Sequence, residues 1–369
     1  MSPIAAAGLY IHIPFCKSRC LYCGFFSQTR YELAISYIDA VISEMHRYDI
    51  SHLRTIYIGG GTPSSLGSEA LGRLLAFINN NIKISDIEEF TIECNPDDID
   101  AELAVQLKSA GVSRVSMGVQ STDDRMLQFL HRRHSSAQVF TAIEALHSAD
   151  IQNINIDYIF GLPRFSWYDF EADFERFAAI ETSHKSIYAL SYEDGSPLTA
   201  MLQRGEVQQT DDNEVRRQYD YICQRMKALG YDHYEISNYA RPGQRALHNS
   251  NYWRRVPYIG IGVAASSFWA MHRHTNNMTL ADYVAAAKSG AAPIYENDDL
   301  SKQDVYNETV MLGLRTSDGV GKDELKALGD EFYRYFIERA SHLQHRDGRF
   351  YLSEADWFIS DYLVSNLFM

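Results

Sequence analysis

Six short runs rich in β-branched and aromatic residues alternate with amphipathic stretches before residue 230. Apolar residues in those stretches recur every three to four positions, as Leu33, Tyr37, Val41 and Met45 do, which predicts helices. The runs lie at 8–13, 53–58, 89–93, 114–117, 155–160 and 186–190, and the helices near 31–48, 67–81, 100–110, 136–149, 168–180 and 212–229. This alternation predicts βα units of a parallel sheet. Six units are too few for a closed eight-stranded barrel, so we expect an α/β fold, an incomplete (β/α)6 barrel.

Polar signatures fall at the ends of these predicted strands, or within them. In chain order they are Cys16, Cys20 and Cys23, then Gly59-Gly-Gly-Thr-Pro63, Glu93, Gln120, Asp157 and Ser191. In α/β barrels the C-terminal strand ends meet at one mouth. We therefore expect these residues to form a single site.

Cys16, Cys20 and Cys23 are spaced by three residues and then by two. A [4Fe–4S] cluster has four corners, and electron-transfer proteins usually supply four cysteines. A trio would leave one corner for a small molecule. Two other interpretations stay open: a structural zinc site, which would need a fourth Cys or His, and a disulfide pair with a spare thiol.

Composition excludes several classes of function. The net charge of −14 opposes non-specific binding to nucleic-acid phosphates, and the cluster 131–134, His-Arg-Arg-His, is expected to be a solvated surface. No stretch approaches the roughly 18 apolar residues of a membrane span. The first residues, Met-Ser-Pro-Ile-Ala-Ala-Ala-Gly, are too short and uncharged for a signal peptide. We expect a cytoplasmic protein whose five cysteines are ligands or buried thiols, not disulfides.

The cysteine spacing together with the glycine motif resembles the radical S-adenosylmethionine (SAM) superfamily. The resemblance implies a [4Fe–4S] cluster whose unique iron is chelated by the amino and carboxylate groups of SAM. It also implies transfer of one electron into the sulfonium, with release of a 5′-deoxyadenosyl radical. The glycine motif would hold the methionine end of SAM.

Four further motifs narrow the resemblance, and they begin at Ser116, Asp157, Tyr234 and His248: SMGVQS, DYIFGLP, YEISN and HNSNYW. Together they resemble the oxygen-independent coproporphyrinogen III oxidase-like branch and, within it, its radical SAM heme chaperones. This resemblance covers nearly the whole chain. The SAM-binding residues that it implies are Tyr10, Tyr22, Gly60, Gly61, Thr62, Glu93, Gln120, Arg132, Asp157 and Ser191.

His248 has two interpretations. A histidine in a loop is commonly solvated or hydrogen-bonded within the protein. In heme chaperones the His-Asn-x-x-Tyr-Trp motif is associated with heme binding, and a neutral imidazole suits heme iron as an axial ligand. Tyr252 and Trp253 would then pack on the porphyrin face, although Trp253 suits the core equally well.

The resemblance implies a chaperone that binds heme and delivers it to an apo-haemoprotein, without assigned catalytic residues. The alternative is a dehydrogenase that decarboxylates two propionates of coproporphyrinogen III to vinyl groups. That subfamily carries a fourth cysteine two residues after the third, at the position where this chain has Phe25. It also carries a longer N-terminal segment ahead of the cysteine motif, whereas fifteen residues precede Cys16 here. Other tetrapyrrole chemistry and a metal-stabilised interaction module are further alternatives. We expect no nucleic-acid partner, and a peripheral membrane contact is compatible with the sequence. The sequence leaves open whether the chain is a monomer or a homodimer, and whether SAM is consumed.

Three regions are expected. Residues 1–240 form the partial barrel, residues 241–297 a connecting region of loop and packing material that carries the HNxxYW motif, and residues 298–369 a winged-helix-like module. The module is predicted from helices near 302–313, 322–328 and 330–343 and a turn–strand element at 347–352. It has no net basic face, so a lid or docking role fits it better than DNA binding.

Overall fold

A computed structural model describes residues 8–24, 26–269 and 271–369. Phe25, which occupies the position of the fourth cysteine in the dehydrogenase pattern, lies outside the described residues. One mixed sheet organises the described residues up to 299, and a smaller sheet belongs to the C-terminal module.

The large sheet has twelve strands within the described residues, in the order β12-β11-β10-β9-β1-β2-β3-β4-β5-β6-β8-β7. Their bounds are β1 Gly8–Ile13, β2 Thr55–Gly60, β3 Glu89–Cys94, β4 Arg114–Gln120, β5 Asn153–Phe160, β6 His184–Ala189, β7 Asp232–Glu235, β8 Asn238–Ala240, β9 Tyr258–Ile261, β10 Ser266–Trp269, β11 His272–Asn276 and β12 Tyr295–Asp299. Strands β1 to β6 are parallel and adjacent in chain order. β12 and β7 are the two edges, so the barrel is open, as predicted.

Ten α-helices alternate with these strands in the described residues up to 299. They are α1 Ala34–Met45, α2 Ser68–Asn81, α3 Ala101–Ser109, α4 Asp124–Phe129, α5 Ser136–Ser148, α6 Trp167–Ala179, α7 Pro197–Gln203, α8 Asp212–Ala228, α9 Leu247–Trp253 and α10 Leu280–Ser289. Alternation along each strand separates two environments. In β1, Leu9, Ile11 and Ile13 belong to the apolar core with Tyr37 and Val41 of α1, so Tyr10 and His12 face the interior of the barrel.

The interpretation of the connecting region as loop and packing material is wrong. It contains α9, α10, three strands and the start of a fourth. β9 pairs in parallel with β1, from Gly8↔Tyr258 to Ile11↔Ile261. β10, β11 and β12 continue the sheet in antiparallel order. These strands are short, and β12 is mostly exposed, so they lack the apolar alternation that reveals a strand in a sequence.

The C-terminal module packs around its own apolar cluster, which includes Tyr306, Val310, Phe336 and Trp357. It comprises α11 Lys302–Leu314, α12 Lys322–Leu328, α13 Asp330–Arg339 and α14 Ser360–Ser365, with a three-stranded sheet of β13 Val320–Gly321, β15 Arg349–Tyr351 and β14 Gln344–Arg346. Its helices and small hairpin agree with the predicted winged-helix-like module.

Candidate cofactor site

A cavity of about 630 Å³ opens at the C-terminal ends of the parallel strands. Most of the predicted SAM and cluster residues line it, although they come from distant parts of the sequence. They are Cys16, Cys20, Tyr22, Cys23, Gly60, Gly61, Thr62, Glu93, Gln120, Arg132, Asp157 and Ser191. The structure thus brings twelve of the fourteen predicted site residues together.

The three cysteines lie on the loop that follows β1, and all three are half-buried and unbridged. Backbone hydrogen bonds hold this loop, from Cys16 N to Gln28 O at 3.0 Å and from Leu21 N to Leu130 O at 3.1 Å. Three thiols on one ordered loop at a cavity fit a cluster with one open corner.

Cys94 is separate from this trio. It is buried in the apolar core, and burial raises the pKa of its thiol. It also lines the cavity, so its exclusion from the cluster ligands stays a prediction.

The glycine motif closes the strand end beside the cysteine loop. Gly60 has φ +111°, and a Cβ there would lie 2.4 Å from the His12 ring. A Cβ on Gly61 would lie 2.6 Å from the Phe15 carbonyl oxygen, whereas the Gly61 N–H itself donates to Ile13 O at 2.8 Å. Glycine is required at these two positions because the segments that follow β1 and β2 pack closely against each other. The backbone is therefore exposed at the cavity wall.

Glu93 is a half-buried carboxylate near the end of β3. It accepts hydrogen bonds from Tyr57 Oη at 2.7 Å and from the Gly60 N–H at 2.9 Å. Burial raises its pKa to about 7, despite the opposing effect of these two donors. The carboxylate is therefore ionised above neutral pH, when it can accept a further hydrogen bond from a cation in the cavity.

Arg132 is half-buried and reaches the cavity wall from the turn after α4. It donates to Asn95 Oδ1 at 2.7 Å, to Gly118 O at 2.5 Å and to Cys20 Sγ at 3.4 Å. The prediction of a solvated surface for 131–134 is wrong, because only His131 of the four is exposed. His131 adopts φ +56°, and the chain turns inward after it. The charge pattern does not reveal this turn, so it led to the wrong prediction that the whole cluster is exposed.

Gln120 and Asp157 complete the wall from neighbouring strands. The register of β4 shifts between Gly118 and Gln120, and Gln120 has the left-handed φ of +70°. A bulge of this kind redirects a side chain, here to the cavity. Asp157 accepts from Asn155 Nδ2 at 2.7 Å, and burial raises its pKa to about 6.

The remaining predicted residues lie at different depths. Ser191 donates to Glu193 at the rim, whereas Tyr10 lies inside the barrel, with its hydroxyl 2.9 Å from His12 Nδ1. His248 lies at the opposite end. Its backbone N–H donates to Glu89, the first residue of β3, and its Nδ1 is 2.8 Å from Oγ1 of Thr55, the first residue of β2.

Both ring nitrogens of His248 are hydrogen-bonded, because Nε2 lies 2.8 Å from Tyr252 Oη. The residue is 1% exposed, and burial lowers its pKa to about 3, which keeps the imidazole neutral. In this conformation His248 is a hydrogen-bonded core residue. The heme-ligand role assigned to it stays a prediction.

Two supporting residues were missed from sequence. Tyr57 holds Glu93 and also packs against His248, with ring centroids 5.2 Å apart. Asn95 holds Arg132. Two signals in the sequence could have indicated them: the alternation of Thr55, Tyr57 and Gly59, and the position of Asn95 directly after β3.

Comparisons with known proteins agree with this geometry. The family model described as the Radical SAM superfamily matches residues 10–177. Heme chaperone HemW of Lactococcus lactis subsp. lactis (strain IL1403) is 36% identical over 312 residues, 84% of this chain and 82% of that protein. Heme chaperone HemW of Bacillus subtilis (strain 168) is 33% identical over 322 residues, 85% of this chain and 84% of that protein.

A solved structure, coproporphyrinogen III oxidase (HemN) from Escherichia coli, described as a radical SAM enzyme, superposes with a TM-score of 0.82 at 19% identity. It covers 99% of this chain and 90% of that one, a likeness that shows the fold alone. The fold and the cavity define a radical SAM protein, with a site for a [4Fe–4S] cluster and SAM. More closely, the chain belongs to the HemW family of heme chaperones. Within the described residues, no helix combines the length and the apolarity needed to span a membrane.

Proposed function

We propose that this chain binds heme, together with a [4Fe–4S] cluster and SAM, and delivers the heme to apo-haemoproteins. The observation that carries the proposal is its identity to heme chaperones over 84–85% of the chain. The cavity that matches the superfamily pattern supports the cofactor part of it. The cysteine usage supports a reducing compartment such as the cytoplasm, and membrane contact and oligomeric state stay predictions.

The residues of the cavity have separate roles in this proposal. Cys16, Cys20 and Cys23 hold three corners of the cluster, which when bound supplies one electron to the SAM sulfonium. The Glu93 carboxylate accepts a hydrogen bond from the SAM ammonium group. Asp157, which already accepts from Asn155, binds a ribose hydroxyl.

Arg132 keeps its charge in the cavity wall and offers a cation to a carboxylate of the cofactor. Its contacts with Asn95 and Gly118 fix the guanidinium, so little side-chain entropy is lost on binding.

The HNxxYW motif and the cofactor cavity lie at opposite ends of the sheet. β2 runs from Thr55 at the His248 end to Gly60 at the cavity, about 17 Å at 3.3 Å per residue. The two regions are nevertheless linked through Tyr57, whose hydroxyl donates to Glu93 and whose ring packs against His248.

His248 is the proposed axial ligand for heme iron. A neutral imidazole suits that role, but the ring must release Thr55 or Tyr252 before it can bind iron. Heme binding through His248 therefore requires local opening around α9.

The test is an anaerobic assay of cluster-reconstituted protein with SAM, a reductant and coproporphyrinogen III, with products separated by chromatography. The proposal expects no conversion and, in a parallel titration, binding of heme with a shifted Soret band. Conversion to protoporphyrinogen would make the chain a dehydrogenase.

The ligand assignment is tested by titrating heme into His248→Ala, with His147→Ala as the control, because His147 is exposed on α5. Weaker heme binding by the first variant alone supports His248 as ligand. Unchanged Soret spectra in both variants would exclude it.

A further inference from the structure

A second cavity, of about 850 Å³, lies between α9 and the C-terminal module. One wall is formed by α9 and the residues beside it, including Arg245, Trp253, Arg254 and Arg255. The other is formed by the module, mainly by α11, the segment 316–319 and the hairpin of β14 and β15. The cavity is at the end of the sheet that α9 covers, away from the cofactor cavity.

The lining of this cavity is basic, although the chain as a whole carries a net charge of −14. Five of its residues are arginines, 245, 254, 255, 346 and 349, against three carboxylates, Asp318, Glu324 and Asp347. Arg349 pairs with Glu324 at 3.0 Å, and Arg255 pairs with Glu308, outside the lining, at 3.1 Å. Arg245 and Arg254 share Asp318, at 3.0 and 3.1 Å. Arg346 lies 3.7 Å from Asp347, with both side chains exposed, and its guanidinium carbon is 5.5 Å from the centre of the Tyr351 ring. Positive charge at this cavity is therefore only partly compensated, which favours an anionic ligand.

Two donors at the cavity are left without acceptors. The indole Nε1 of Trp253 and one terminal nitrogen of Arg255 are buried and have no hydrogen-bond partner. Unsatisfied buried donors are rare in folded proteins and call for an explanation. Both nitrogens are sealed from solvent, so a ligand with acceptor oxygens would reach them only after a small movement of the cavity wall.

The cavity also offers flat apolar surface, from Trp253 and Tyr351. Its size lies within the range of small-molecule sites, about 300–1,000 Å³. Aromatic walls beside a cluster of arginines suit a ligand with a planar apolar body and carboxylates at one edge.

We propose that this cavity receives the propionate-bearing edge of heme, with Arg254 and Arg346 binding the carboxylates. The inference rests on the proposed heme-binding function and adds the location and the charge selectivity of the site. It does not depend on which residue ligates the iron.

The experiment uses full-length, cluster-reconstituted protein and two ligands, heme and its dimethyl ester, which lacks both carboxylates. Both are titrated into wild type and into the double variant Arg254→Gln/Arg346→Gln. These side chains are 57% and 76% exposed, so their removal leaves the core intact. The control is Arg73→Gln/Arg204→Gln, which removes two exposed arginines, each paired with one carboxylate, outside the cavity.

The inference predicts that wild type and the control bind heme at least about tenfold more tightly than the diester, and that the cavity variant binds both equally. Heme binding with the same preference in all three proteins would overturn the cavity assignment and leave the proposed function standing. Absence of heme binding by wild type would overturn both.

Discussion

Replacing Glu93 with glutamine is expected to flatten the pH dependence of SAM binding. The half-buried carboxyl has a pKa of about 7, so it is about 90% ionised at pH 8 and about 10% at pH 6. If the ionised form accepts the SAM ammonium group, the affinity of wild type falls about tenfold over this interval, which is about 1.4 kcal/mol.

Asp157, whose pKa is about 6, loses only about half of its ionised form over the same interval and adds a factor of about two. That smaller slope should persist in Glu93→Gln. At pH 8 the variant should bind SAM about tenfold to a hundredfold more weakly, because a hydrogen bond to a charged group contributes about 1.5–3 kcal/mol.

The assay is equilibrium binding of SAM to cluster-reconstituted protein at pH 6, 7 and 8, with Glu88→Gln as the control. Glu88 is an exposed carboxylate paired with Arg54. A Glu93→Gln protein with the full tenfold pH dependence would refute the assignment of this carboxylate to SAM.

Stability without SAM provides a second readout, with the opposite sign. The folded pKa of Glu93 is raised above its ordinary value of 4.5, so its favourable contribution is complete below pH 4.5 and is lost as the pH rises through about 7. Between pH 6 and 8 wild type should lose about 1.3 kcal/mol of unfolding free energy through this group. Glu93→Gln should lack that decline in denaturant titrations.

The remaining predictions concern the cluster and the region under α9. After reconstitution, Cys23→Ser should lose the broad cluster absorption and most of the about four irons per chain. Cys94→Ser should keep both, because Cys94 is a core thiol. Equal iron contents in the two variants would contradict the proposed set of cluster ligands. His248→Ala should lower the unfolding free energy by about 2–3 kcal/mol, because it leaves the hydroxyls of Thr55 and Tyr252 without their partner in a buried place. A loss below about 0.5 kcal/mol in urea titration would show that these hydrogen bonds are unimportant.

The six parallel strands and the site at their C-terminal ends were predictable from sequence. Each strand is a compact apolar run bounded by polar residues, and parallel order brings those ends to one mouth. The convergence of Cys16, Glu93, Gln120 and Asp157 on one cavity follows from this rule.

The unpredicted features depend on tertiary contacts. β9 to β12 are short or exposed strands that exist because β1 offers a free edge. The partial burial of Arg132 depends on a turn at His131, and the orientation of Gln120 depends on a bulge. Likewise, the motif around His248 does not reveal from sequence that the residue lies at the end of the barrel opposite the cluster.

The most direct test of the account is the kinetics of heme transfer. Heme-loaded, cluster-reconstituted protein is mixed with increasing concentrations of a b-type apocytochrome, or with apomyoglobin as a passive scavenger, and the Soret shift is followed in time. The account predicts a rate that rises with apocytochrome concentration and exceeds the constant rate of spontaneous release measured with apomyoglobin. The same concentration-independent rate with both acceptors would mean that heme simply dissociates, and it would contradict a chaperone function.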